Sequence, residues 1–203
     1  MDLIIKQTEK EFFFQTENLT REAFWNLFKP GCDEHLVLHN IRKSENYTED
    51  LDLVAFFNQQ IIGHIISTKA KVIDSMNLEH EILCVGPISV LPEFQNKGIG
   101  SKLIEYSISL ARKLEFVGMI LFGNPDYYHR FGFINAKEFE ITTKDFQNFE
   151  PFMALQLKEN GLERVKGKFY EDTAYMIDQS ELIEFEKKFP EKEKKKTETQ
   201  FLS

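Results

Sequence analysis

The run Gln95-Asn96-Lys97-Gly98-Ile99-Gly100-Ser101 combines residue types and spacing that can hold a phosphate. It follows an apolar stretch, Gly86 to Val90, and precedes an amphipathic one that begins at Ser101. A tight turn leading from a strand into a helix presents consecutive backbone N–H groups at the positive end of the helix dipole, which is a cradle for a pyrophosphate. Glycines at 98 and 100 remove the Cβ atoms that would keep a phosphate off the backbone. Two other phosphate motifs are excluded. A P-loop ends in Gly-Lys-Ser/Thr after four spacers, and no such run is present. A dinucleotide fingerprint requires a third glycine where Leu103 stands.

A second group lies downstream. Gly118 to Phe122 is a short apolar strand, and Gly123-Asn124-Pro125-Asp126 has turn chemistry. Tyr127-Tyr128-His129-Arg130-Phe131-Gly132-Phe133 follows. Its aromatic rings suit core packing, while a phenol of ordinary pKa near 10 stays protonated at neutral pH and can donate a proton.

Gln-x-x-Gly-x-Gly at Gln95 to Gly100 resembles the acetyl-CoA loop of the GNAT acetyltransferase superfamily, and Tyr128 to Phe133 resembles its Tyr-x-x-Phe-Gly-Phe signature. The resemblance spans roughly residues 1 to 178. It is to predicted bacterial N-acetyltransferases carrying Gly-Pro-x-x-Val-x-Pro-x-Tyr-Gln and Gly-Asp-Pro-x-Tyr-Tyr-x-Arg-Phe-Gly-Phe, from which this chain departs at Phe94 and Asn124. It implies an α/β (α+β) fold with a mixed central sheet, a splayed strand pair and helices on both faces. It further implies N-acetyl transfer from acetyl-CoA, with no metal, to a primary amine of a small molecule or protein. The alternative is a non-catalytic acyl-CoA sensor.

The resemblance also implies the site. Main-chain groups of Ile88, Ser89 and Val90 would bind the pantetheine arm. Gln95, Asn96, Lys97, Gly98, Ile99, Gly100 and Ser101 would hold the pyrophosphate, with Asn124 and Tyr127 beside them. Pro87 cannot donate to a full ladder and marks interrupted pairing. Tyr128 is the general acid toward the CoA sulfur, with Tyr127 its rival. Arg130 reaches a cofactor phosphate or closes a helix on its own carbonyls. For the general base there are two candidates. Glu81 lies near the start of the central strand, and Glu34, within Pro30-Gly31-Cys32-Asp33-Glu34-His35, would border the acceptor pocket.

The 203 residues suit one domain with a sizeable core, to which the 42% apolar fraction and 20 phenylalanines contribute. The net charge of −8 argues against a nucleic-acid partner. No stretch suits a membrane span, and Met1 to Lys6 does not read as a signal peptide. Two cysteines give no disulfide framework, so a cytoplasmic location is expected, as a monomer or homodimer. Cys32, His35 and His39 share one helical face without an evident fourth ligand, and a capping or core-edge role suffices. Cys84 reads as a buried thiol. His64 and His80 have no partners that the sequence identifies.

Period and punctuation predict the elements. Leu3 to Thr8 is a strand, Glu9 to Lys29 a helix, and Pro30-Gly31 a break. Cys32 to Lys43 is a second helix; Leu51 to Phe57, Ile61 to Val72 and Glu81 to Val90 are antiparallel strands; Ser101 to Glu115 is a helix. Met153 to Lys158 is predicted helical, with short strands around Phe139 to Thr142 and Gly167 to Met176. The domain is expected to end near residue 180. The Glu- and Lys-rich segment 181–203 is expected to be helical to about Phe189, then disordered and dispensable.

Overall fold

The computed structural model describes residues 2–198 and 200. A nine-stranded mixed sheet runs β1 (Ile4–Gln7), β2 (Tyr47–Phe57), β3 (Gln60–Ile73), β4 (Glu79–Val90), β5 (Gly118–Phe122), β8 (Phe152–Gln156), β6 (Ile134–Asn135). Off that path, β9 (Gly167–Tyr170) pairs with β3 and with β7 (Ile141–Thr143). α1 (Phe13–Phe24) and α2 (Glu34–Ile41) cover one face. α3 (Ile99–Lys113) covers the other through its apolar stripe of Leu103, Ile104, Ile108 and Ala111. α4 (Pro125–Tyr128) is one short turn, and α5 (Gln179–Glu186) packs beside α1 and α2. Among the described residues no helix is long and apolar enough to cross a membrane.

Two features of β4 prepare a site. It pairs in parallel with β5 only at Leu83–Met119 and Cys84–Ile120. Beyond that, its register against β3 slips, with Ile65 opposite Ile88 but Ser67 opposite Val85. The extra residue lies at Gly86-Pro87, and a bulge there bends the strand. The second half of β4 therefore diverges from β5 and leaves its outer edge unpaired.

Segment 152–156 is a strand, not the predicted helix. It pairs along its whole length with β5, from Gly118–Gln156 to Phe122–Phe152. Phe152, Met153, Ala154 and Leu155 are all buried, because both faces of this strand are covered. A short continuous apolar run carries no period that separates strand from helix. Between 167 and 176 only the first four residues are a strand; Thr173–Tyr175 is a 3-10 turn.

Nor does the fold end near residue 180. Phe185 and Phe189 are buried, and Glu186 forms a bidentate ion pair with Arg21, itself 1% exposed. The segment after Phe189 then runs against the end of α1. Arg21 Nη2 donates to the Pro190 carbonyl (3.1 Å), and Trp25 Nε1 and Asn26 Nδ2 both donate to the Glu193 carbonyl (3.0 Å). Composition reports only the side chains of this segment, whereas its backbone carbonyls do the binding. Removing the acceptor of a buried guanidinium costs about 1–3 kcal/mol, and each kcal/mol is about 2–4 °C at this size. A chain ending at Phe189 should melt about 2–12 °C below the full chain. A thermal melt within about 2 °C of the full chain would show that these contacts do not stabilise the fold.

The histidines have partners. His64 Nε2 lies 2.7 Å from Asp52 Oδ1, and Arg42 Nε donates to Asp52 Oδ2 (2.8 Å). Burial alone would raise the Asp52 carboxyl, but His64 and Arg42 pull it well below the usual carboxylate range. His80 pairs with Asp74 (3.0 Å). His39 Nδ1 meets Glu17 (2.9 Å), and His35 packs between Cys32 Sγ and Glu186.

Candidate active site

The divergence of β4 from β5 opens a cleft of about 540 Å³. One end runs into a groove of about 530 Å³ over the N-terminus of α3, and Ile88, Val90, Gln95, Tyr127 and Tyr128 border both spaces. The site is therefore continuous from the helix terminus to the strand gap.

At the groove end, α3 has no side-chain cap; Gly98 occupies the cap position in left-handed backbone (φ 79°). The first helical bond runs from the Lys102 N–H to the Gly98 carbonyl (3.1 Å). The N–H groups of Ile99, Gly100 and Ser101 precede it and have no acceptor within the helix. They open onto the groove beside Asn96 and Gly98. A Cβ on Gly98 would meet nothing within 4 Å, so the space above this turn is free. A Cβ on Gly100 would stand 2.8 Å from Tyr127 Oη, which places that hydroxyl against the loop. The Gln95 side chain donates to the Val90 carbonyl (3.1 Å), tying the loop to the strand, and Lys97 donates to the Glu93 carbonyl (2.8 Å). Arg130 stacks on the Tyr127 ring (4.1 Å) and its Nε donates to the Tyr127 carbonyl (2.8 Å). It thus closes its own helix while also bordering the groove.

In the gap, Leu91 donates its N–H to Ile62 on β3 (3.0 Å). Strand alternation then turns the N–H groups of Val90 and Ile88 the other way, toward the unpaired edge. The Ser89 side chain faces α1, where its hydroxyl lies 2.9 Å from Thr20 Oγ1. Asn124 caps α4, accepting the Asp126 N–H on Oδ1 (3.0 Å).

Tyr128 is wedged edge-on against Tyr127 and Phe133 (centroids 5.0 and 5.9 Å). Among the described residues its hydroxyl has no hydrogen-bond partner, and it borders cleft and groove alike. Burial pushes its pKa up to about 12, so it holds its proton. Burial likewise raises the Cys84 thiol, at the cleft wall, to about 12, which rules it out as a thiolate nucleophile at neutral pH.

The two carboxylate candidates separate. Glu34, at the start of α2, lines the cleft, and burial raises its pKa. Glu81 does not reach the site. It lies seven residues before Ile88 on an extended strand, roughly 20 Å away at about 3.3 Å per residue. There it pairs with Lys69 (3.0 Å), with its side chain 57% exposed. Two cleft residues carry no local sequence signal. Tyr175 donates from Oη to the Gly86 carbonyl at the bulge (2.9 Å), and Glu171 stands at the rim. Both come from the segment after β9, far along the chain, and the β3–β9 pairing together with the packing of Ala174 and Tyr175 on α2 brings them here.

The chain belongs to the Acetyltransferase (GNAT) family, whose profile matches residues 14–133. It is 30% identical over 96 residues to the uncharacterized N-acetyltransferase YjhQ of Escherichia coli, a match covering 46% of this chain and 51% of that protein. The matched region thus spans about half of that relative. A GNAT family acetyltransferase from Brucella melitensis, solved in complex with acetyl-CoA, is 25% identical, with a TM-score of 0.69 over 85% of this chain and 97% of that one. YhbS of Escherichia coli, solved with CoA, shares the fold at 19% identity, with a TM-score of 0.76 over 86% and 92% of the two chains.

Proposed function

We propose that this protein transfers the acetyl group of acetyl-CoA to a primary amine. The observation that carries the reading is the continuity of three features in one groove. These are the bare N-terminus of α3, the unpaired edge of β4 and the unpartnered Tyr128 hydroxyl. The N–H groups of Ile99 to Ser101 suit a pyrophosphate, and those of Ile88 and Val90 suit an extended amide-bearing arm and the acyl oxygen. Bound acetyl-CoA supplies the activated acyl carbon.

The chain's own groups then have three tasks. Glu34 takes a proton from the incoming ammonium, directly or through water, leaving a lone pair free to form the C–N bond. The nitrogen, cationic once that bond forms, releases its second proton to water or to Glu34 after Glu34 has passed the first to solvent, and the neutral amide remains. The Val90 N–H stabilises charge on the acyl oxygen. As the C–S bond breaks, its electron pair stays on sulfur, and Tyr128 Oη gives that sulfur a proton. Both tyrosine and carboxyl recover their protonation states by exchange with water.

Calorimetry with CoA, followed by acetyl-CoA consumption against amines, amino acids, polyamines and aminoglycosides, tests the reading. CoA binding and turnover of at least one amine are expected. CoA binding without turnover across the whole panel would assign a sensor role instead.

A further inference from the structure

The end of the cleft away from the α3 groove has a chemistry of its own. Phe24 and Phe28, from the end of α1 and the loop after it, line it together with Val37 of α2 and with Tyr175, which packs against the cluster containing Val37. The ionisable carboxylates are Glu34 and Glu171, and among the described residues lining this cleft there is no Lys, Arg or His. Glu34 is held in place, its Oε2 accepting the Asp33 N–H (3.1 Å). The nearby Lys29 is engaged with Asp33 instead. The cleft thus offers negative charge and aromatic surface, and no cationic side chain among the described residues that line it to pair with an anion.

We infer that the acceptor is a cationic primary amine on an apolar, aromatic-sized body that carries no carboxylate or phosphate. This rests on the acetyl-transfer reading above. The ammonium meets Glu34, with Glu171 adding to the field at the mouth, while the body lies among Phe24, Phe28 and Val37. An ammonium is also attracted to aromatic faces. An amino acid presents a carboxylate that would lose water and find like charge instead of a partner. A polyhydroxylated polyamine would place hydroxyls against phenyl rings without hydrogen-bond partners.

The test is a matched series: 2-phenylethylamine, L-phenylalanine and kanamycin. Each is measured by acetyl-CoA turnover, and by calorimetry on the free and the CoA-saturated protein. 2-Phenylethylamine is expected to exceed the other two at least tenfold in kcat/KM and in affinity. Glu34→Gln should weaken its binding at least tenfold and leave CoA affinity within twofold, a split that general misfolding would not give. Preference for phenylalanine or kanamycin, or no binding of 2-phenylethylamine at 10 mM, overturns the inference while CoA binding still upholds the cofactor site. If CoA itself does not bind, the acetyl-transfer reading fails and the inference about an acceptor is overturned with it; amine binding to the free protein then reports only which ligand chemistry the cleft selects.

Discussion

Tyr128→Phe is expected to lower kcat for acetyl transfer by about 100-fold, the usual size of a lost general acid. The ring packs against Tyr127 and Phe133 and should stay in place, since only a hydroxyl without a protein partner is removed. Acetyl-CoA affinity should change little, because the hydroxyl acts as the thiolate departs. A phenol raised to about 12 would be a poor donor to a thiolate in water. Burial changes the comparison. A cleft lined by apolar side chains disfavours a thiolate as it disfavours a phenolate, so the sulfur leaving there is a stronger base than in water. The pH profile gives a second check. Tyr128 remains protonated below its raised pKa, so it imposes no alkaline fall in rate until well above pH 10. Tyr127→Phe should be mild, because the Tyr127 hydroxyl faces the Gly100 loop. Single-turnover rates of both variants decide the matter. A large loss only in Tyr127→Phe would reverse the roles, and normal rates in both would leave water as the proton source.

The parts of this site that could be read in the sequence are those built by neighbours in the chain. Gly98, Gly100 and the tyrosine pair sit in local motifs whose geometry their own residues dictate, and the helix predicted from Ser101 to Glu115 forms from Ile99 to Lys113. The acceptor end is different. Phe24, Glu34, Glu171 and Tyr175 meet only because α1, α2 and the segment after β9 converge on the bulge of β4. Glu81 and Glu34 look equivalent in the sequence, and the length of β4 separates them. The same limit explains the C-terminal segment, where low apolar content conceals backbone carbonyls that Arg21, Trp25 and Asn26 seek.

Gly98→Val should reduce CoA affinity by at least 100-fold in a protein that still folds. Gly98 sits in left-handed backbone, where a β-branched residue costs about 1–3 kcal/mol. That is a fraction of the stability of an ordinary domain, about 5–15 kcal/mol, so the melt should fall by several degrees without loss of the fold. Apart from its chain neighbours, no atom of the described residues lies within 4 Å of the new Cβ, so the substitution does not damage the core. Its methyl groups would instead occupy the free space above the turn, where a phosphate must approach the N–H groups of Ile99 to Ser101. Two charge-assisted hydrogen bonds lost at about 1.5–3 kcal/mol each amount to two to four orders of magnitude in affinity. Pantetheine, which lacks the pyrophosphate, provides the internal control. Its affinity should be nearly the same in both proteins, because it uses the edge of β4 and not the loop. Calorimetry on the folded variant therefore has one decisive reading, the ratio of CoA to pantetheine affinity. A ratio near one identifies the turn as the pyrophosphate site, and an unchanged ratio places the pyrophosphate elsewhere.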